Sequence, residues 1–431
     1  MSQAPIVIIG AGLAGLVCAK ELCARGCPDI LVLEAAPEPG GRVRTRRTSD
    51  GYTLDLGFQV LLDSYPAARR HLNIPALRPR YFESGAILAD DARRWIVANP
   101  LRHPGDISST AFGDAFSWWD KIRLADLVAS IVTTPDEGLL AGTAGLDDVS
   151  TAGYLVAAGF STAFVERFIR PFFGGVFLDD SLGTSAALFR YYLKKFALGR
   201  ALVPAGGMQE IPRQLARGLP EASLRMGARV EQIEAIDGRA VALRLEGGER
   251  VACRAIVIAT DEPSAHRLTG ETAPPRAAIG ITVVYFTALE PLYRRRMLFL
   301  PAGRSRLVRH LVAITNVAPE FAPEGRHLLS ATVLDRRGLA DGGLIRSVRG
   351  EILDLFPAAT PAARSLEPVA VLDVPYALYR QGPGFARFSK PAPAATPWRN
   401  VWLAGDQTAS CSINAAMETG ERTAKCLRVG A

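Results

Sequence analysis

The stretch that decides the fold is Pro5-Ile6-Val7-Ile8-Ile9-Gly10-Ala11-Gly12-Leu13-Ala14-Gly15. Its first half is a short, apolar, β-branched run typical of a buried parallel strand, and the residues that follow have helical spacing. Gly10 permits a tight bend, Gly12 lets the backbone approach a ligand, and Gly15 lets the helix pack close to the strand. Because the N-terminus of a helix presents free N–H groups, the turn predicts a diphosphate site formed by Gly10, Gly12, Leu13, Ala14 and Gly15.

A second apolar run, Ile30 to Leu33, leads directly into Glu34 and Ala35, with Glu34 standing 24 residues after Gly10. A carboxylate there can accept hydrogen bonds from both ribose hydroxyls of an adenosine, and it would repel a 2′-phosphate. A glycine-rich turn alone is a weak signal, since a purely structural turn looks the same. Because a strand, a glycine turn, a helix and Glu34 follow one another at the expected spacing, the segment predicts a dinucleotide site. Glu34 favours FAD or NAD over NADP.

Two further segments separate FAD from NAD: Pro39-Gly40-Gly41-Arg42-Val43-Arg44-Thr45 and Leu54-Asp55-Leu56-Gly57-Phe58-Gln59. Here the chain resembles the flavin-containing amine oxidase superfamily, which includes carotenoid desaturases, protoporphyrinogen oxidases and monoamine oxidases. In that superfamily a Gly-Gly-Arg turn runs along the diphosphate and the flavin, and an Asp-x-Gly segment follows. The resemblance implies FAD contacts from Gly41, Arg42, Gly57, Phe58 and Gln59.

The C-terminal region, Val401-Trp402-Leu403-Ala404-Gly405-Asp406 and then Ser412-Ile413-Asn414-Ala415-Ala416, resembles the last motif of the same superfamily. The resemblance implies that Gly405 and Asp406 hold the ribityl or pyrophosphate region. A helix beginning at Ser412, Ile413 and Asn414 would point N–H groups at the flavin C2 carbonyl and stabilise the reduced ring. Cys411 and Ala415 stand where glycines are common, which predicts a slightly wider backbone approach.

Residues 227–233 and 254–261 resemble the strands that return to the cofactor domain in that superfamily. The resemblance implies that the main chain of Val230 meets the adenine and that Thr260 lies at the cofactor. The alternative is that both segments are ordinary buried strands.

A cofactor site split between the two ends of the chain predicts an α/β fold: a Rossmann-type FAD-binding domain with an inserted mixed β-sheet substrate domain and a helical subdomain. We expect the FAD-binding domain to comprise residues 1–85, 200–262 and 391–431. β-like runs at Ile281–Phe286 and Leu328–Val333 indicate a substrate-binding β domain at 86–100 and 263–390. Apolar residues at near-helical spacing between Phe112 and Ile131 indicate a helical subdomain at 101–199.

Composition favours a compact multidomain enzyme, since 48% of the 431 residues are hydrophobic and 22% are charged. The net charge of +7 comes mostly from arginine, but no stacking aromatics interleave the basic clusters, so we expect no nucleic-acid partner. No apolar run approaches ~20 residues, which predicts a cytoplasmic protein, or at most one attached peripherally to a membrane. The six cysteines lack metal-site spacing and the five histidines are scattered, so we expect no metal.

Four residues are candidates for contact with the substrate or the flavin ring: Phe58, Gln59, Tyr376 and Tyr379. Tyr376 and Tyr379 precede the Gly-Asp motif where monoamine oxidases place paired aromatics, and no cysteine occurs there, so FAD should be bound non-covalently. We expect Phe58 and Gln59 on the flavin side and the two tyrosines on the opposing wall, although packing is an equally good role for each. The aromatic run Phe160 to Phe177 predicts a packed helix or, as in carotenoid desaturase-like proteins, a wall of an apolar tunnel.

The sequence therefore predicts an FAD-dependent oxidoreductase that desaturates or isomerises a hydrophobic small molecule, most readily a polyene or isoprenoid, by hydride transfer to flavin N5. Amine oxidation and protoporphyrinogen oxidation remain alternatives, and oxygen, a quinone or another acceptor would reoxidise the flavin. A non-catalytic prenyl-chain escort protein is a further alternative, against which the complete flavin motif set argues. Oligomeric state is left open. Trp118 and Trp119 would contact membranes if exposed, but we expect them to be buried.

Overall fold

The structure is a computed structural model, and it describes residues 4–27, 29–90, 93–99, 115–140, 149–302, 306–356, 361–384 and 396–427. Its strands, labelled β1 to β20 in chain order, are Ile6–Ile9, Ile30–Leu33, Thr45–Arg47, Thr53–Asp55, Leu61–Leu62, Pro79–Tyr81, Gly85–Ala89, Arg94–Ala98, Ala201–Pro204, Leu224–Arg225, Val230–Ile236, Arg239–Leu245, Arg250–Ala252, Ala255–Ile258, Ala278–Ala288, Leu298–Pro301, Val308–Ala313, His327–Val333, Glu367–Tyr379 and Val401–Leu403. Its α-helices, labelled α1 to α14, are Leu13–Ala24, Pro66–His71, Trp118–Thr133, Asp136–Leu140, Thr151–Ala157, Thr162–Phe164, Arg170–Phe177, Ala186–Leu198, Glu210–Arg217, Glu262–Thr269, Ile314–Val317, Asp341–Leu355, Pro361–Arg364 and Ile413–Cys426.

A five-stranded parallel sheet, ordered β10-β2-β1-β14-β20, joins the two ends of the chain. The N-terminal strand β1 lies at its centre, and the late strand β20 pairs with β14. Parallel strands place their carboxyl ends at one edge, so Gly10, Glu34, Thr260 and Gly405 gather there. This is the arrangement that the split motifs predicted.

Helices α1 and α14 seal the same junction. A Cβ atom on Gly420 of α14 would lie 2.2 Å from the backbone oxygen of Ala14 in α1, which no side chain tolerates. The two helices therefore touch backbone to backbone, and this contact holds the C-terminal motif against the N-terminal one.

A second sheet of seven strands, ordered β19-β15-β18-β17-β16-β7-β8, is mixed because β16 and β7 run parallel while the other neighbours are antiparallel. The predicted runs at 281–286 and 328–333 lie within β15 and β18. Alternate residues of β15 divide between two cores: Val284 and Phe286 pack with α12, whereas Val283 and Tyr285 belong to the large core of the parallel sheet. The second sheet thus presents one face toward the predicted cofactor edge.

The segment between β8 and β9 is helical where the structure describes it, from α3 to α8. Phe164 and Phe173 are fully buried, and a π-helical turn at Val165–Ile169 joins α6 to α7. Phe168 and Phe172 pack against Leu88 and Leu300 of the seven-stranded sheet. The aromatic run therefore forms a packed helix, which is one of the two structures that its pattern predicted. Phe112, the first residue of the predicted helical pattern, lies outside the described residues.

The remaining small sheets include β11-β12-β13, which lies beside the parallel sheet. The boundaries that we gave for the three domains stay a prediction. Strands β7 and β8 belong to the seven-stranded sheet, and the helical segment packs against that sheet through Phe168 and Phe172. Across the described ranges, none of the helices combines the length and apolar character needed to cross a bilayer.

Candidate functional site

The glycine turn after β1 leaves an open space in front of α1. A Cβ on Gly15 would lie 2.0 Å from the oxygen of Gly10, and one on Gly10 would lie 2.8 Å from the oxygen of Ala259. Both glycines are thus needed for packing between backbone segments. A Cβ on Gly12, in contrast, would meet no atom within 4 Å. Since Gly12 caps α1, whose first N–H groups have no intrahelical partner, the space suits an anionic group.

Glu34 braces this turn from the neighbouring strand. Its Oε2 accepts a hydrogen bond from the N–H of Ala11 at 2.7 Å, and its Oε1 accepts one from Ala36 at 2.8 Å. Each carboxylate oxygen retains a lone pair for a ribose hydroxyl. The N–H of Ala228 donates to the backbone oxygen of Glu34 at 2.8 Å, which brings buried Val230 close to the same end of the site. Ala35 itself is exposed.

Arg42 links the Gly-Gly-Arg turn to the C-terminal motif. The N–H of Gly40 donates to the oxygen of Ala11 at 2.9 Å, so this turn lies directly against the first one. Arg42 Nη1 lies 2.6 Å from Oδ2 of Asp406, whose side chain is 2% exposed. The other oxygen of Asp406, Oδ1, is buried and has no hydrogen-bond partner among the described residues. A buried carboxylate oxygen of this kind calls for a donor from a ligand or water.

The loop that carries Asp406 is supported by Tyr379. Its hydroxyl donates to the backbone oxygens of Asp406, at 2.6 Å, and of Ala409, and the Arg276 guanidinium lies 3.4 Å from its ring centre. With 1% of its surface exposed, Tyr379 holds the loop from within the core. This position corrects our prediction that Tyr379 forms a substrate wall, because its ring and hydroxyl are both occupied.

Tyr376 has the opposite environment. Its ring is half-buried, with the Arg42 guanidinium 5.5 Å from the ring centre, and its buried hydroxyl has no partner in the described part of the chain. It therefore remains the candidate for the wall opposite the cofactor.

Helix α14 begins at Ile413, close to the predicted start, and the side chains of Ser412 and Asn414 form hydrogen bonds within the protein. The Ser412 side chain accepts a hydrogen bond from Ala415 N at 3.0 Å and caps the helix. Asn414 uses its side chain for structure: Oδ1 accepts from Ala67 N at 3.0 Å, and Nδ2 donates to the Tyr191 hydroxyl at 3.1 Å. Only the backbone N–H groups of Ile413 and Asn414 are left to face a ligand.

Phe58 and Gln59 lie between the two sheets. The Phe58 ring packs edge-on against His310 of β17 with 4.9 Å between centres. Gln59 Nε2 donates to the backbone oxygen of Arg42 at 3.1 Å, while its buried Oε1 has no described partner. Asp55, Gly57, Tyr285 and Ser330 complete a small cavity around them, whose lining residues are Asp55, Gly57, Phe58, Gln59, Val203, Tyr285, Ile314, Phe321 and Ser330.

Burial sets the charges at this cavity. It lowers the pKa of His310 to about 3, helped by neighbouring Arg309, so the imidazole is neutral at physiological pH. Burial also raises the pKa of Asp55 to about 6, although hydrogen bonds from Thr45 and Met208 oppose the shift. Asp55 is therefore the acidic group of the cavity lining, and the other lining side chains are uncharged.

Sequence reasoning missed several of these residues. The motif around Gly57 did not single out Asp55, although an acidic residue between Leu54 and Leu56 in a short strand is a signal of a buried carboxyl group. His310 and Arg276 gave no signal, since His310 reaches the site from β17 and Arg276 from the segment that precedes β15. Thr260 follows β14 at the carboxyl edge of the parallel sheet and donates its hydroxyl to the Asp261 oxygen at 3.1 Å, and its contact with the cofactor stays a prediction. In the described ranges, His, Cys, Asp and Glu side chains form no group of three suited to a metal.

The donors and acceptors around the edge fit a flavin dinucleotide. The open space at Gly12 suits a diphosphate, Glu34 suits a ribose, and the unpartnered Asp406 Oδ1 can accept a hydrogen bond from a ligand hydroxyl. Gly41, which has a φ of +60°, and Gly57, at +89°, keep the neighbouring backbone in conformations that favour glycine.

The sequence is similar to those of known oxidoreductases. The chain is 25% identical to phytoene dehydrogenase of Streptomyces griseus, over 62% of this chain and 56% of that protein. It is 24% identical to a probable zeta-carotene desaturase of Synechococcus elongatus, with 98% of each chain covered. The chain thus spans little more than half the length of the first relative.

A crystal structure of a putative protoporphyrinogen oxidase from Exiguobacterium superposes with a TM-score of 0.70 at 19% identity, over 99% of both chains, which shows a shared fold. Residues 13–428 also match the sequence profile of the flavin containing amine oxidoreductases, a family of oxidoreductases. Because this match covers nearly the whole chain, the protein belongs to the flavin-containing amine oxidoreductase family.

Proposed function

We propose that the protein is an FAD-dependent oxidoreductase that desaturates or isomerises a neutral, hydrophobic substrate, with a polyene or other isoprenoid as the leading class. The observation that carries this proposal is a dinucleotide cradle beside a small cavity whose lining is uncharged apart from Asp55. Gly12, Glu34 and Asp406 supply the cradle, and Phe58, Gln59 and Tyr285 line the cavity.

FAD is expected to bind without a covalent link. The Cys411 thiol lies at the cradle, with its Sγ 3.4 Å from Asp406 Oδ2. Burial, reinforced by Asp406, raises its pKa well above the usual range, so the sulfur stays protonated and is a poor nucleophile. Denaturation should therefore release intact FAD into the supernatant, whereas a flavin that precipitates with the chain would contradict the non-covalent part of the proposal.

When bound, FAD supplies a hydride acceptor at N5, so the chain has to orient the substrate and exclude water. Phe58 and Tyr285 offer an aromatic surface, and His310 is a neutral group throughout the physiological pH range. The amide of Gln59 and the half-buried ring of Tyr376 add polar atoms that need no counter-ion. None of these five side chains carries a charge at physiological pH, which suits an apolar substrate.

The relatives support the same substrate class, because the two sequences described above carry the names of carotenoid-processing enzymes. Whether the electrons pass to oxygen, a quinone or another acceptor stays open in this proposal.

Amine oxidation is the second candidate, and Asp55 is the observation that favours it. A carboxylate on the cavity wall could pair with a substrate ammonium. Its Oδ1, however, already accepts hydrogen bonds from Thr45 Oγ1 at 2.5 Å and Met208 N at 2.9 Å, which gives the carboxylate a structural role. We therefore rank an amine below a polyene.

Anaerobic titration of the FAD-loaded protein separates these candidates. Phytoene, a protoporphyrinogen and an aliphatic primary amine would each be mixed with it, and the loss of flavin absorbance would be followed. We expect bleaching by the polyene. Rapid bleaching by the amine alone would reverse the ranking, and protein that stays colourless after reconstitution with FAD would exclude the enzyme.

A further inference from the structure

Helix α3 presents three large apolar side chains to solvent at its N-terminus. Trp118 is 59% exposed, Trp119 64% and Ile122 44%. The opposite face of the helix is buried through Leu127 and Ile131. Our expectation that the two tryptophans are buried is therefore wrong. Exposed tryptophans that lie side by side are rare on a soluble surface and mark a contact site.

The charges around these side chains are arranged in a definite way. At about 100° per residue, Trp118, Ile122 and Trp119 span an arc of about 100° on the helix, and Lys121 and Arg123 flank the arc on its two sides. The apolar arc ends at the exposed Asp126, about 12 Å along the axis from Trp118. Only the first two turns of α3 thus combine an apolar surface with basic edges.

Backbone N–H groups at the N-terminus of α3 have hydrogen-bond partners within the protein. Ser117 and Asp120 form a reciprocal capping box, which satisfies N–H groups that would otherwise need water. Asp120 is fully buried, and it accepts hydrogen bonds from the backbone N–H of Ser161 at 2.8 Å and from its hydroxyl at 2.7 Å. Its negative charge therefore faces the protein, and the tryptophans stand on a fixed support.

We propose that Trp118, Trp119 and Ile122 insert into the headgroup region of an anionic lipid bilayer, with Lys121 and Arg123 contacting the headgroups. Tryptophan prefers the boundary between water and hydrocarbon, and basic residues beside it are the pattern of interfacial helices. The net charge of +7 acts in the same direction. A protein partner fits less well, because three side chains on two turns offer far less than the ~800 Å² per side of a stable interface.

Sedimentation with lipid vesicles tests the proposal. The complete FAD-loaded protein would be mixed with vesicles of phosphatidylcholine alone or with phosphatidylglycerol added. We expect binding to the anionic vesicles, and at least a tenfold loss of binding in the triple variant Trp118→Ser, Trp119→Ser, Ile122→Ser. The double variant Lys121→Gln, Arg123→Gln should bind more weakly and with less dependence on salt.

A matched control is Ile236→Ser with Leu289→Ser, since these side chains are 63% and 57% exposed elsewhere on the surface. It should bind like the parent protein. Circular dichroism and thermal unfolding would confirm that all variants fold. Equal binding by the triple variant, or no binding by the parent protein, would overturn the proposal. Self-association of the parent protein that the triple variant abolishes would also overturn it, in favour of an interface between two copies.

Discussion

Arg42 and Asp406 form an ion pair of 2.6 Å across 364 residues of sequence. The pair joins the second turn of the N-terminal motif to the loop of the C-terminal motif, at the edge where the cofactor is expected. The Asp406 carboxylate is nearly inaccessible to solvent, and Arg42 is the cation that the described residues place beside it, so loss of the guanidinium should destabilise the fold.

Replacing Arg42 with Met should destabilise the protein by about 3 kcal/mol, since it leaves a buried carboxylate unpaired. Adding Asp406→Asn should restore part of that loss, which denaturant unfolding of the single and double variants would measure. Arg80 and Glu320 form a matched control pair with both side chains more than a third exposed, and Arg80→Met should cost less than about 1 kcal/mol. Strictly additive effects of the two changes at Arg42 and Asp406 would contradict the coupling.

The two glycines of the first helix should respond differently to alanine. Gly15→Ala places a methyl group on the backbone of Gly10, so we expect loss of soluble protein or a large fall in melting temperature. Gly12→Ala has room in the fold and should melt like the parent protein when both lack cofactor. It should still bind FAD at least tenfold more weakly, as measured by flavin fluorescence, because the methyl group fills the cradle. Normal FAD affinity in Gly12→Ala would place the diphosphate elsewhere.

Asp55 should make stability depend on pH. Its pKa rises from 3.8 to about 6 on folding, so the native state binds the proton more tightly than the unfolded chain does. Stability from this group is greatest below about pH 4 and declines until about pH 6, by an amount on the order of 3 kcal/mol. Asp55→Asn keeps both hydrogen bonds to Oδ1 and should remove that decline.

The measurement is the free energy of unfolding between pH 4 and 7, with Asp50→Asn, at an exposed position, as the control. His310 acts in the opposite sense, since its lowered pKa makes stability fall as pH drops below about 6.5. The difference between Asp55→Asn and the parent protein therefore isolates Asp55. Identical pH slopes for the two would show that Asp55 is not the buried acid that its position indicates.

Substitution of Tyr379 should affect stability, whereas substitution of Tyr376 should affect the reaction with substrate. Tyr379→Phe removes a donor from two buried backbone oxygens and should lower stability by about 1–3 kcal/mol. Tyr376→Phe removes a hydroxyl without a described partner and should change stability by less than about 0.5 kcal/mol. It should instead alter the rate at which substrate bleaches bound FAD in stopped-flow experiments. A stability loss at Tyr376 equal to that at Tyr379 would contradict the assignment.

Much of the candidate cofactor site was predictable because its residues act through local backbone geometry. Gly10, Gly12 and Gly15 follow a strand and open a helix, and Glu34 ends the next strand, so short-range spacing already indicates the turn and its brace. The C-terminal motif has the same local character around Gly405 and Ser412.

The environment of each site residue depended instead on contacts between distant segments. Tyr376 and Tyr379 lie three positions apart on one strand, yet one ring is enclosed by Arg276 and the Asp406 loop while the other stays at the site. Asp55 and His310 acquire shifted pKa values only because two sheets exclude water around them. Trp118 and Trp119 were expected in the core, since periodicity marks an apolar face but does not show what packs against it.

The sequence by itself determined the parallel-sheet motif, its glycine turns and the family resemblance, because these follow from strand, turn and helix preferences within a few residues. Only the tertiary structure decided which side chains line the cavity, which support the Asp406 loop, and which are exposed to solvent. Burial, charge pairing and hydrogen-bond satisfaction are properties of the whole packed chain, and they bring together residues that no local pattern connects.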